Sequence, residues 1–91
     1  MNEANVTATV SFTGMVQGIS FRKNTQAVAN SMGITGWVRN EDSGSVTACF
    51  SGPESTIKAV IEKCMHLPNA VVSDVKISMG KYVDYGDFVI H

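Results

Sequence analysis

Residues 5–32 read Asn5-Val6-Thr7-Ala8-Thr9-Val10-Ser11-Phe12-Thr13, then Gly14-Met15-Val16-Gln17-Gly18-Ile19-Ser20, then Phe21-Arg22-Lys23-Asn24-Thr25-Gln26-Ala27-Val28-Ala29-Asn30-Ser31-Met32. The apolar period changes within this stretch. Val6, Ala8, Val10 and Phe12 alternate with hydroxyl residues, which specifies a strand with one buried and one wet face. Phe21, Thr25, Val28, Ala29 and Met32 then recur at helical spacing, and Gly33 follows where a left-handed cap ends a helix. A strand therefore runs through a glycine-containing loop straight into an amphipathic helix. Backbone amides of such a loop and of the first helical turn converge on one point, and the helix dipole makes that point favourable for an anion. Ser20 is expected as the N-cap, which puts Phe21 and Arg22 in the first turn. Arg22 then falls in that turn, where a cation is misplaced unless an anion is bound beside it.

The rest of the chain repeats the pattern. Residues 34–40 (ITGWVRN) are β-branched and aromatic enough for a second strand, and 41–44 (EDSG) form a hairpin loop closed by glycine. Residues 45–51 return as a third strand, and Gly52-Pro53-Glu54 opens a second helix with Pro53 expected at its first position. Ile57, Val60, Ile61 and Cys64 mark the buried stripe of that helix. Val71, Ser73, Val75, Ile77 and Met79 form one side of a fourth strand, and Phe88 and Ile90 alternate in a short terminal one. The order β-α-β-β-α-β with an added C-terminal strand predicts an α+β, ferredoxin-like sandwich: an antiparallel sheet with two helices on one face.

With 91 residues, the chain is expected to form one domain over 1–91, burying roughly 60–65% of its unfolded surface. Apolar residues make up 44%, and the net charge of −1 carries no basic stripe, so a nucleic-acid partner is not expected. RNA binding on this topology also needs aromatics on the exposed sheet face, where Thr7, Thr9, Ser11, Thr47, Cys49 and Ser51 are expected instead. Residues 1–40 sum to +2 and residues 41–91 to −3. A small anionic ligand near the more basic half suits that balance. The first residues carry neither a basic region nor an apolar run, and no stretch is long enough to span a bilayer. The expectation is a cytoplasmic protein without membrane association, and the polar open sheet face points to a monomer. Cys49 and Cys64 lack metal-ligand spacing. They are expected on opposite sides of the sheet, unpaired, with Cys49 accessible.

The chemistry available near the loop is sparse. No Lys-Ser/Thr pair follows Gly18, so the loop is not a Walker A sequence. Some phosphatase loops place a nucleophilic Cys six residues before the phosphate-binding Arg, but Val16 stands there. Ser20 has no evident base. Asn40 ends the second strand, which can return it beside the loop. A carboxamide can orient water, although it cannot take up a proton at neutral pH. Glu41 and Asp42 are expected as solvated turn formers. An anion cradle, a cation and a water-orienting amide with no general acid suit an acyl phosphate. Its carboxylate leaving group, with a conjugate acid of pKa about 4 to 5 by analogy with Asp and Glu, needs no proton donor. A non-catalytic module sensing phosphate or a carboxylate stays open as the alternative.

Gly14-x-Val16-Gln17-Gly18-x-x-Phe21-Arg22, Thr25-Gln26, Gly33-x-x-Gly36-Trp37-Val38-x-Asn40, Gly44-x-Val46, Gly52-Pro53 and Tyr85-x-Asp87-Phe88-x-Ile90 together closely resemble the acylphosphatases, in order, from about residue 6 to 90. The resemblance implies a metal- and cofactor-independent hydrolase that converts an acyl phosphate and water to a carboxylate and inorganic phosphate. It implies Arg22 and Asn40 as catalytic residues. The phosphate would be held by Val16, Gln17, Gly18, Ile19, Ser20, Phe21 and Arg22, largely through backbone amides. Ile19 replaces the commoner Val, and Ser20 falls where the family varies. Gln17 and Thr25 are expected to shape the site, while Trp37, His66 and His91 are expected to be structural or incidental.

Overall fold

The computed structural model describes residues 3–91. Met1 and Asn2, the start of the expected domain and of the stretch read as leaderless, lie outside the described residues. Five strands and two helices follow in the order β1 (Asn5–Met15), α1 (Phe21–Ser31), β2 (Thr35–Asn40), β3 (Val46–Pro53), α2 (Glu54–Cys64), β4 (Val71–Lys81) and β5 (Phe88–Ile90). The sheet order is β4-β1-β3-β2-β5. The first four strands pair antiparallel, and β5 adds to β2 in parallel, so the ferredoxin-like sheet is mixed.

Alternation in β1 and β3 puts Ala8, Val10, Phe12, Val46, Ala48 and Phe50 on the helix-covered face, all fully buried. Phe21 from α1 meets Phe12 edge-on at 5.4 Å between centroids, and Phe88 from β5 stacks on Phe50 at 5.7 Å. These contacts fix α1 and β5 against the same core that carries β1 and β3. Pro53 turns out to be the N-cap of α2, one position before its expected place, with extended backbone at φ −61° and ψ 136°. Among the described residues no helix is long and apolar enough to cross a membrane.

Three expectations about the sheet faces need correction. A β-bulge between Thr13 and Gly14 shifts the β1–β4 register, so Gly14 pairs with Val72 rather than with Ser73. Val72 therefore turns inward to pack beside Val75, while Val71 is exposed; a bulge flips every side chain beyond it. Gly14 sits at φ +133°, and a Cβ there would lie 2.1 Å from the Val71 carbonyl oxygen, so only glycine fits. Cys49 does face away from the helices, yet it is buried at 2% exposure. The segment from Tyr82 to Asp87 crosses the supposedly uncovered face to carry the chain from β4 to β5. Thr7 Oγ1 accepts from the Val83 amide at 3.0 Å, and the Cys49 thiol donates to the Tyr85 hydroxyl at 3.4 Å. Thr7 and Ser51, both buried beneath this strap, satisfy each other through hydroxyls 2.6 Å apart. Glu41, expected as a solvated turn former, accepts from Arg39 Nε at 3.0 Å and from Thr47 Oγ1 at 3.2 Å, pinning the hairpin base.

Candidate active site

The chain leaves β1 at Met15 and enters α1 at Phe21. Two left-handed residues make the turn: Gly18 at φ +75° and Ser20 at φ 65°. Gly18 takes this conformation freely, whereas Ser20 pays roughly 1 kcal/mol or more for it. Ser20 occupies the N-cap position, and its carbonyl accepts from Asn24 N at 2.9 Å, but its side chain makes no capping bond. A serine caps through extended backbone that swings its hydroxyl over the first turn, and a left-handed residue cannot do so. The first-turn amides of α1 are left without a side-chain cap. Among the described residues, the amides of Gln17, Gly18, Ile19 and Ser20 also find no acceptor. Unpaired donors are thus gathered at the positive end of an 11-residue helix.

Beside this loop lies a cavity of about 150 Å³ lined by Val16, Gly18, Ser20, Phe21, Arg22, Lys23, Asn40 and Ile90. The structure therefore brings together Arg22 and Asn40, which are 18 positions apart in sequence, with four of the loop residues read as phosphate-binding. The side chains of the other two turn elsewhere. Ile19 packs partly buried against the core. Gln17 reaches sideways, donating through Nε2 to the carbonyls of Glu41 and Ser45 at 2.8 Å each. This side chain ties the loop to the hairpin that begins one residue after Asn40.

Arg22 extends across the cleft, and its Nη1 donates to the His91 carbonyl at 2.8 Å. His91, expected to be incidental, thus contributes its backbone: its amide continues the β5 pairing by donating to Val38 O at 2.8 Å, and its carbonyl meets the guanidinium. Gln26 Nε2 donates to Phe88 O at 2.8 Å and holds β5 against α1. Lys23 and Ile90 are the lining residues that sequence reasoning missed. Lys23 carried a signal, as a second cation in a first turn without an acid. Ile90 stood only as a residue of the terminal strand and of the resembling motif, and it is the parallel pairing of β5 with β2 that brings it to the cleft.

The lining contains no carboxylate, imidazole or thiol. Nor, among the described residues, do three or more His, Cys, Asp or Glu gather anywhere as a potential metal centre. Next to the site, between the helices, the Thr25 hydroxyl is completely buried without a hydrogen-bond partner among the described residues. The Cys64 thiol beside it is pushed up to about 11 by burial, an effect that Thr25 partly opposes.

A family model described as acylphosphatase matches residues 8–90. The chain is 46% identical over 79 residues to an acylphosphatase of Haloquadratum walsbyi, covering 86% of this chain and 85% of that one. It is 40% identical over 87 residues to an acylphosphatase of Geotalea uraniireducens, covering 93% and 96%. A solved acylphosphatase structure from Coxiella burnetii superposes with a TM-score of 0.89 at 31% identity, covering 96% of this chain and 93% of that one.

Proposed function

Since the chain belongs to the acylphosphatase family, we propose that it hydrolyses the carboxyl–phosphate bond of acyl phosphates, by direct attack of a water aimed by Asn40. In this reading the phosphoryl group sits in the amides of residues 16–22, and Arg22 grips its oxygens. The observation that carries it is that Arg22, Asn40 and the loop residues Val16, Gly18, Ser20 and Phe21 line one cleft, beside loop amides without an acceptor among the described residues.

The residues available fit this reaction better than its relatives. As the water oxygen bonds to phosphorus, the bond from phosphorus to the acyl oxygen breaks and its electron pair leaves on the carboxylate. The water proton passes to a phosphoryl oxygen. No lining residue has to donate or accept a proton in this reaction. A phosphate monoester would expel an alkoxide, or a phenoxide in the case of phenyl phosphate, each far more basic than a carboxylate, and would need an acid. Catalysis is positioning plus electrostatic stabilisation: the amides and the guanidinium complement charge spreading over the equatorial oxygens, and the carboxamide holds the nucleophile in line. The reaction is metal-independent in this reading, with the phosphoryl charge met by Arg22 and the loop amides.

The test is phosphate release from benzoyl phosphate in the presence of EDTA. Hydrolysis should proceed undiminished by the chelator, while a phosphate monoester such as phenyl phosphate stays intact. Arg22→Lys should be severely impaired, since a point charge cannot hold two oxygens in a fixed fork. Phosphate binding without any turnover of benzoyl phosphate would instead favour a sensing module.

A further inference from the structure

We infer that Lys23 is a specificity-determining residue that favours acyl phosphates whose acyl half carries a second anionic group, such as a carboxylate; the inference rests on the reaction proposed above. Helix α1 (FRKNTQAVANS) contains two charged residues, Arg22 and Lys23, and both stand in the first turn, where the dipole disfavours cations. Arg22 has an assignment in the phosphoryl cradle. Lys23 has none, and no carboxylate of the described residues lies within 4.0 Å of it.

The two cations differ in setting. Phe21 is buried, Arg22 is half-buried and Lys23 is exposed, so successive residues step from the core through the cleft to its rim. With the phosphoryl group against the amides, the acyl half is the part directed toward the open side of the cleft, whose lining includes the exposed Lys23. The lining includes two cations and no acid to oppose them. An ammonium on a flexible stem at the mouth can meet an anion whose position varies with acyl length, which suits Lys rather than Arg.

The discriminating pair is succinyl phosphate and butyryl phosphate, which share a four-carbon chain and differ in a terminal carboxylate against a methyl. For the unmodified protein, kcat/KM should favour succinyl phosphate. In Lys23→Gln the ratio of the two kcat/KM values should fall by about fivefold, near the upper end for an exposed ion pair. The change should lie in KM, and any uniform effect of the variant cancels in the ratio. Lys23→Arg should retain most of the preference, and 0.5 M NaCl should erode it in the unmodified protein. A ratio that moves less than twofold in Lys23→Gln, or a loss in kcat shared by both substrates, would overturn the inference while leaving acyl-phosphate hydrolysis intact. Failure of the unmodified protein to hydrolyse either substrate would remove the reaction itself, and this inference with it.

Discussion

The Gln17 side chain and the Glu41 carbonyl are joined across 24 positions of sequence by a 2.8 Å hydrogen bond, and the same Nε2 donates equally closely to Ser45 O. One amide group therefore spans the gap between the loop that would hold the phosphoryl group and the hairpin that follows Asn40. Gln17→Glu keeps the shape but presents an oxygen to both carbonyls. Its kcat/KM toward acetyl phosphate should fall about 10- to 100-fold, the scale of a small misplacement at a positioned site. Gln17→Met, which removes the donor without adding repulsion, should lose less. Steady-state kinetics of the two variants check this, and circular dichroism at 25 °C should show both folded.

Thr25→Val should stabilise the protein. The hydroxyl is buried without a partner among the described residues, so replacing it with a methyl of the same shape removes a desolvation cost of about 1 kcal/mol. Thermal unfolding should shift upward by about 4–8 °C for a chain of this length. A decrease in Tm would mean that the Cys64 contact is worth more than the desolvation it incurs.

Alkaline stability should decline in a defined window. Burial raises the Cys64 thiol from 9.0 to about 11. Between those values the unfolded chain releases a proton that the folded one keeps, so unfolding is favoured increasingly as pH rises from about 9 to 11. Tyr85, raised chiefly by its bond with Cys49, acts in the same direction. Urea midpoints should therefore fall between pH 8.5 and 10.5, and Cys64→Ala, though less stable overall, should show a shallower fall.

The elements were legible because each rests on a local period. The switch from alternation in Val6–Phe12 to helical spacing from Phe21 marks β1 and α1, and Gly33, at φ +70°, ends α1 as a left-handed cap should. Arg22 and Asn40 stood out as residue types with a chemistry. What stayed hidden depends on packing between distant segments. Nothing near Cys49 announces that Tyr85 will cover it, because the strap's path is set by where β5 finds an open edge. The bulge at Gly14 answers to the partner strand, and Ser20 read as an ordinary cap because its backbone conformation has no sequence mark. Gly18 at φ +75° did carry one, being the residue that reaches this region without strain.

The strap makes its own prediction. Native Cys49, at 2% exposure beneath Tyr85, should react with a thiol reagent such as dithionitrobenzoate only on the timescale of local opening. Tyr85→Ala should accelerate that reaction by at least about tenfold, equivalent to roughly 1.4 kcal/mol less protection, while Cys64 in the helix layer stays slow. Mass spectrometry of the labelled protein distinguishes the two thiols.

The most direct measurement pairs acetyl phosphate turnover with inorganic phosphate binding in Asn40→Ala. If the carboxamide aims the water while Arg22 and the loop amides hold the phosphoryl group, turnover should drop by at least about 100-fold, with phosphate affinity kept within about twofold. Turnover equal to that of the unmodified protein would contradict the account.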